Sequence, residues 1–151
     1  MQFVKTSVFA VPASTLWAFH ERPDAFSMLT PPWQRTEIIQ PPVSLKVGTV
    51  VKLRVKMPPL PFWQTIEAEH IEYDAGRMFA DRMNRGPFAT WIHHHIITPE
   101  GTNASRLTDQ IEYALPFGFV GRVFGSAIAR RQLEKLFTFR HNVTRQAVEQ
   151  A

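Results

Sequence analysis

The chain has 151 residues, of which 44% are hydrophobic and 20% charged, and a formal net charge of +4. Such values suit one soluble globular domain over residues 1–151 with one sizeable core. The absence of cysteine excludes a disulfide framework and thiolate chemistry. Basic residues scattered among acidic ones argue against a nucleic-acid footprint, which needs a clustered stripe with exposed aromatics.

The opening run, MQFVKTSVFAVPAS, lacks a basic region followed by a long apolar one, so no signal peptide is expected. No apolar stretch approaches the roughly 18 residues that span a bilayer. A cytoplasmic location is expected, and the oligomeric state is left open.

Residues 2–11 alternate, with Phe3, Lys5, Ser7 and Phe9 on one face, and predict a first strand. Pro12 ends it, and Ser14 or Thr15 can cap a short helix through His20. Pro23 and Asp24 suit the first turn of a second short helix to Leu29, stopped by Thr30-Pro31-Pro32. From there the period is two. Strands are predicted at 35–40, 49–57, 62–73, 77–84, 88–98 and 105–115. Their breaks are Pro41-Pro42, Pro58-Pro59 with Pro61, Asp74-Ala75-Gly76, Gly86-Pro87 and Pro99-Glu100-Gly101.

The last segment contains no proline after Pro116, and a helix is predicted from about Val120 to Val148. Ala129, Leu133, Leu136, Phe137, Val143 and Ala147 form its apolar stripe. Successive strands joined by short turns imply an antiparallel sheet with chain neighbours adjacent. The long helix is the element able to cover one of its faces, which gives an α+β fold with the sheet curled around the final helix. Gly118, Gly121 and Gly125 beside Phe117, Phe119 and Phe124 have two readings. They form either the mouth of an apolar cavity or a tight turn with close helix approach.

This order of elements, with the motifs GPFATWIHHHIITPEGT, RLTDQIEY and RRQLEKLFTFRH, resembles the START-like superfamily, also called SRPBCC or Bet v 1-like. Within it the chain is similar to bacterial members of the polyketide cyclase/dehydrase type. The resemblance implies a helix-grip: a seven-stranded curved antiparallel sheet around a long C-terminal helix, with two short helices after the first strand. It also implies a cavity between sheet and helix that takes a small apolar compound, lipid-like, aromatic or polyketide-like. No catalytic set is shared across the superfamily, so no reaction is carried over.

The most unusual feature is Trp91-Ile92-His93-His94-His95. On a strand, His93 and His95 share a face with Trp91, and His94 takes the other. In the next strand Leu107, Asp109, Ile111 and Tyr113 share the more apolar face, which should point inward. A hairpin register that matches these faces puts His93 or His95 beside Asp109; a one-residue slip reverses it. Such a pair could be structural, could orient a ligand, or could serve as general acid and base in a cyclase, dehydratase or isomerase. His93, His95 and Asp109 are therefore the catalytic candidates. The expected ligand lining is His70, Phe79, Trp91, His93, His95, Asp109, Tyr113, Phe119, Phe124 and Phe137. Two residues apart, His93 and His95 could give two metal ligands and His70 a third, but nothing in the sequence makes them converge. No metal and no cofactor is expected. His70 near Asp81 is a further candidate pair, and Arg140 is expected to snorkel from the helix stripe.

Overall fold

The period-two segments become strands, and the proline-free C-terminal run becomes one helix. A computed structural model describes residues 1–57 and 60–150. The elements are β1 (Gln2–Phe9), α1 (Ala13–Glu21), α2 (Ala25–Met28), β2 (Arg35–Gln40), β3 (Val50–Lys56), β4 (Gln64–Asp74), β5 (Met78–Arg85), β6 (Thr90–Pro99), β7 (Ser105–Ala114) and α3 (Gly118–Glu149). One antiparallel seven-stranded sheet runs in the order β1-β7-β6-β5-β4-β3-β2. From β2 to β7 every neighbour is also the neighbour in sequence, as short turns dictate, and β1 closes onto β7. The expected Pro58-Pro59 break lies outside the described residues. No helix among the described residues is long and apolar enough to cross a membrane.

The 32 residues of α3 extend about 48 Å at 1.5 Å per residue. The helix packs on β1, β7 and α1, at one side of the sheet. Its buried face is Leu133, Phe137, His141, Thr144 and Val148, at spacings of three and four. Two apolar clusters result. One joins Phe9, Leu16, Trp17, Phe79, Leu107 and Val148. The other joins Phe3, Trp91, Ile111, Tyr113, Leu133 and Phe137. Each fully buried Phe or Leu contributes about 1.5–3 kcal/mol by leaving water.

Several local expectations are corrected. The helix predicted from Val120 starts two residues earlier, at Gly118. Val143 and Ala147 are only half-buried, because the face rotates to bring His141 and Thr144 inward. Ser14 and Thr15 lie inside α1 rather than capping it: Pro12 stands at the cap, its carbonyl accepting from the backbone N–H of Thr15 and of Leu16. The second short helix contracts to Ala25–Met28, leaving Pro23 in the preceding turn. Arg140 does not snorkel. Its guanidinium is desolvated against the protein, Nε donates to the Leu29 carbonyl at 3.2 Å, and the group lies 5.2 Å from the centre of the Phe137 ring.

The glycines of early α3 serve close approach. Phe117 and Gly118 both have positive φ, 66° and 54°, so the chain reverses sharply between β7 and α3. The Pro116 carbonyl then sits where a Cβ on Gly121 would be, 1.9 Å away, whereas a Cβ on Gly125 would meet only the Leu115 Cδ1, at 3.1 Å. Helix propensity favours alanine over glycine by about 1 kcal/mol. At Gly121 the backbone clash outweighs that gain. Gly121→Ala is expected to cost about 2 kcal/mol in urea unfolding, and Gly125→Ala to be neutral or mildly stabilising.

Candidate functional site

The alternation of β5, β6 and β7 brings four polar side chains, Asp81, His93, His95 and Asp109, to one inner face. The register pairs Asp81 with His93 across β5 and β6, and His95 with Asp109 across β6 and β7. The matching faces left open by the sequence therefore coincide, with Asp109, His93 and His95 inward. His94 points outward and contacts Glu72 at 3.3 Å.

Asp109 is the hub. His93 donates Nε2–H to its Oδ1 at 2.7 Å, and His141 of α3 donates Nε2–H to its Oδ2 at 2.7 Å. His95 Nδ1 lies 3.1 Å from the same Oδ1. The second nitrogen of His141 meets the Ser7 hydroxyl of β1 at 2.7 Å. Burial would push the Asp109 carboxyl up, but hydrogen bonds from His141, His93 and His95 outweigh it and hold the group well below the usual carboxylate range.

On the other side stands Asp81. Its Oδ2 is 3.6 Å from His93 Nδ1 and 3.3 Å from His95 Nε2. The two imidazoles thus lie between two carboxylates, with ring centres 3.8 Å apart. They diverge electrostatically. Desolvation, with the neighbouring His95 charge, pushes His93 down; His95 is also desolvated, but hydrogen bonds to Asp109 and Asp81 push it up. Asp81 is held below its ordinary value, since contacts with His95 and His93 overcome its burial.

The cluster is closed on one side and reachable on the other. The side chains of His93, Asp109 and His141 are 3–4% exposed, while those of His95 and Asp81 keep 15% and 18%. Beyond Asp81 the inner face continues as Met83, Ala68, Ile66 and Leu53, all half-buried. Leu136 and Arg140 of α3 are also half-buried. Because α3 rests on β1 and β7, solvent reaches the inner face over β3 to β5. The half-buried apolar face of β3 to β5 thus ends at the partly exposed Asp81 and His95.

The predicted lining residues divide into three groups. His95 lies at the partly exposed end of the cluster, with His93 and Asp109 sealed behind it. Phe79 stacks on His95 with ring centres 4.0 Å apart, and His70, paired with Asp81 across β4 and β5, is buried beside it. Trp91, Tyr113 and Phe137 are buried in the second cluster and wall the network from behind. Phe119 and Phe124 are corrected: they are 73% and 76% exposed on the outside of α3. Two shallow hollows among the described residues lie away from the cluster. One, of about 380 Å³, involves Met1, Leu115 and Phe119 where β7 passes into α3. The other, of about 640 Å³, runs along the outer face of α3 by Arg131 and Lys135.

Three contributors escaped the sequence reading. His141 occupies the apolar stripe four residues after Phe137, and a histidine there opposite a buried aspartate is the signal that could have found it. Ser7 shares the β1 face with Phe3 and Phe9. His20 of α1 is buried, donates to the Leu16 carbonyl at 2.8 Å and lies edge-on to His95.

A curved antiparallel sheet, two short helices after β1 and a long final helix define the helix-grip class. The chain belongs to the family described as polyketide cyclase/dehydrase and lipid transport, whose profile matches residues 9–137. No curated protein is a significant match in sequence. Among solved structures it is similar to norcoclaurine synthase from Thalictrum flavum, bound to dopamine and hydroxybenzaldehyde, at 16% identity and TM-score 0.70, covering 100% of this chain and 88% of that one. The Zhui aromatase/cyclase from a Streptomyces species matches at 17% identity and TM-score 0.66, over 98% of this chain and 90% of that one. A START superfamily protein from Mycobacterium smegmatis matches at 14% identity and TM-score 0.65, over 99% and 97%.

Proposed function

We propose that the chain binds a small ring compound, mostly apolar with a hydroxyl or carbonyl group, in the cleft between β3–β5 and α3. The observation that carries this reading is the open end of the polar cluster. Asp81 and His95 keep solvent access at the end of an apolar inner face, while the groups that hold them are sealed. Binding comes from burial of apolar area, at about 25 cal/mol per Å², and Asp81, His95 and Arg140 orient the polar end. The similarity to a synthase solved with phenolic compounds and to an aromatase/cyclase supports an aromatic occupant over an acyl chain. A cytoplasmic location accords with the cysteine-free sequence.

The test uses 2-naphthol as an aromatic alcohol of suitable size. Titration followed by calorimetry should show one site per chain, and the melting temperature should rise with concentration. Ala68→Trp fills the cleft from the half-buried wall of β4 and should lower affinity at least tenfold with the fold intact. Equal affinity in the variant would overturn the assignment of the cleft.

A second reading is an enzyme of the cyclase, dehydratase or isomerase type using His93, His95 and Asp109. It is favoured by one observation: of that set His95 keeps 15% exposure, while His93 and Asp109, at 3% and 4%, are sealed behind it. His95 would then be the proton-transferring group and the other two would be positioning residues.

A further inference from the structure

The two carboxylates make different contacts with the same pair of imidazoles. Asp109 Oδ1 takes the shorter contacts, 2.7 Å from His93 Nε2 and 3.1 Å from His95 Nδ1, whereas Asp81 Oδ2 has one long hydrogen bond, 3.3 Å from His95 Nε2, and stands 3.6 Å from His93 Nδ1. An ionised carboxylate can only accept, so these two nitrogens carry the protons. In a neutral ring the lone pairs then lie at His93 Nδ1 and His95 Nε2, the two atoms that face Asp81. Three acceptors converge there: two imidazole lone pairs and the Asp81 carboxylate. Such a convergence is relieved either by a second proton on His95, which would donate Nε2–H to Asp81 across 3.3 Å, or by a metal ion held among the three atoms.

The spacings agree with a cation larger than a proton. Asp81 Oδ2 is 3.6 Å from His93 Nδ1 and 3.3 Å from His95 Nε2, at or beyond the long end of hydrogen bonding. Ligands at about 2.0–2.1 Å from a tetrahedral ion stand roughly 3.3–3.4 Å apart along each edge. The three ligand atoms all lie within 4.8 Å of one another. Behind them, Asp109 holds the far nitrogens of both histidines, and His141 and Ser7 hold Asp109. This is the outer support that fixes tautomer and ring direction in histidine-rich metal sites.

We infer that Asp81, His93 and His95 form a binding site for one divalent transition-metal ion of the Zn²⁺ type, with its open coordination position toward the cleft. Asp81 is the converging ligand that the sequence did not reveal. It lies on β5, and the β5–β6 register brings it opposite His93. An ion held by three protein groups keeps a place for water or for a ligand oxygen, so it would take the hydroxyl or carbonyl of a cleft-bound compound directly. The site itself does not depend on the ligand reading. It does exclude the acid–base role of His95, whose Nε2 would be committed to the metal.

The experiment is a titration of chelator-stripped protein with Co²⁺, read by its visible absorption, followed by displacement with Zn²⁺ in calorimetry. One ion per chain is expected, with the intense bands of a four-coordinate site. Asp81→Asn, at a partly exposed position where folding should survive, is expected to weaken binding at least tenfold, as is His95→Gln. Asp109→Asn, which alters only the support, should weaken it by about 10–100-fold. His94→Ala on the outer face should leave binding unchanged. Absence of a site in the wild type, or equal binding by wild type and Asp81→Asn, would overturn the inference. So would loss of the site in His94→Ala alone. Because no organic ligand is present and 2-naphthol binding is measured separately in chelator, failure of either reading is distinguishable from failure of the other.

Discussion

Replacing Asp109 with alanine is expected to destabilise the fold by about 3–5 kcal/mol, the range for removing one partner of a buried charged network. The side chain is 4% exposed and takes contacts from three imidazoles on two elements. Its loss leaves His93 and His141 as buried donors without an acceptor, and water has little room to replace the carboxylate. It also cuts the polar link between α3 and β7. Against a typical total of 5–15 kcal/mol, a change of this size lowers the melting temperature by roughly 10 °C. Urea unfolding of wild type and variant measures it. Asp109→Asn should cost less, since the amide keeps one accepting oxygen for one of the rings. A cost under about 1 kcal/mol for Asp109→Ala would mean that the network is weakly coupled to the fold.

The second large effect is acid destabilisation through His20. Burial, only partly offset by the bond to the Leu16 carbonyl, lowers this imidazole from 6.5 to about 4. The unfolded chain therefore takes up a proton at a pH where the native state does not. The contribution is fully present above pH 6.5 and falls away as the pH drops toward 4. The shift from 6.5 to about 4 corresponds to about 3 kcal/mol over that window. His93 and His70, also lowered by burial, act in the same direction. His95 acts in the opposite one: its raised value favours the native state below pH 6.5, and that contribution is lost as the pH rises through its folded value. Asp109 and Asp81, both held below the ordinary carboxylate value, add to the loss at lower pH, so acidification destabilises the fold. His20→Asn, whose amide can still donate to the Leu16 carbonyl, should flatten the slope between pH 6.5 and 4. Denaturation in chelator-containing buffers across that range gives both curves, and parallel slopes would contradict the assignment.

The fold was legible because its signals are local. Alternation over 105–115 and 88–98, with Pro99-Glu100-Gly101 between, specifies a hairpin whatever lies elsewhere, and β6 and β7 end within two residues of expectation. The inward face of β7 was legible for the same reason, since Leu107, Asp109, Ile111 and Tyr113 alternate without interruption. The site was only half legible. His93, His95 and Asp109 lie on adjacent strands and could be paired from the sequence. His141 could not, because nothing local says which turn of a 32-residue helix meets which strand. Asp81 was read as a partner for His70, which it does pair with across β4 and β5, but its place opposite His93 depends on the β5–β6 register. Phe119 and Phe124 are exposed because the buried face of α3 begins only at Leu133, and composition does not say where along a long helix the packing starts.

The measurement that bears most directly on the cleft is a methyl NMR titration of the labelled protein with 2-naphthol. If the half-open inner face is where ligands enter, the resonances of Leu53, Ile66, Ala68, Met83 and Leu136 will shift together and saturate at one equivalent. Shifts confined to Val120, Val123 and Ile128 on the outside of α3, or none at all, would contradict it.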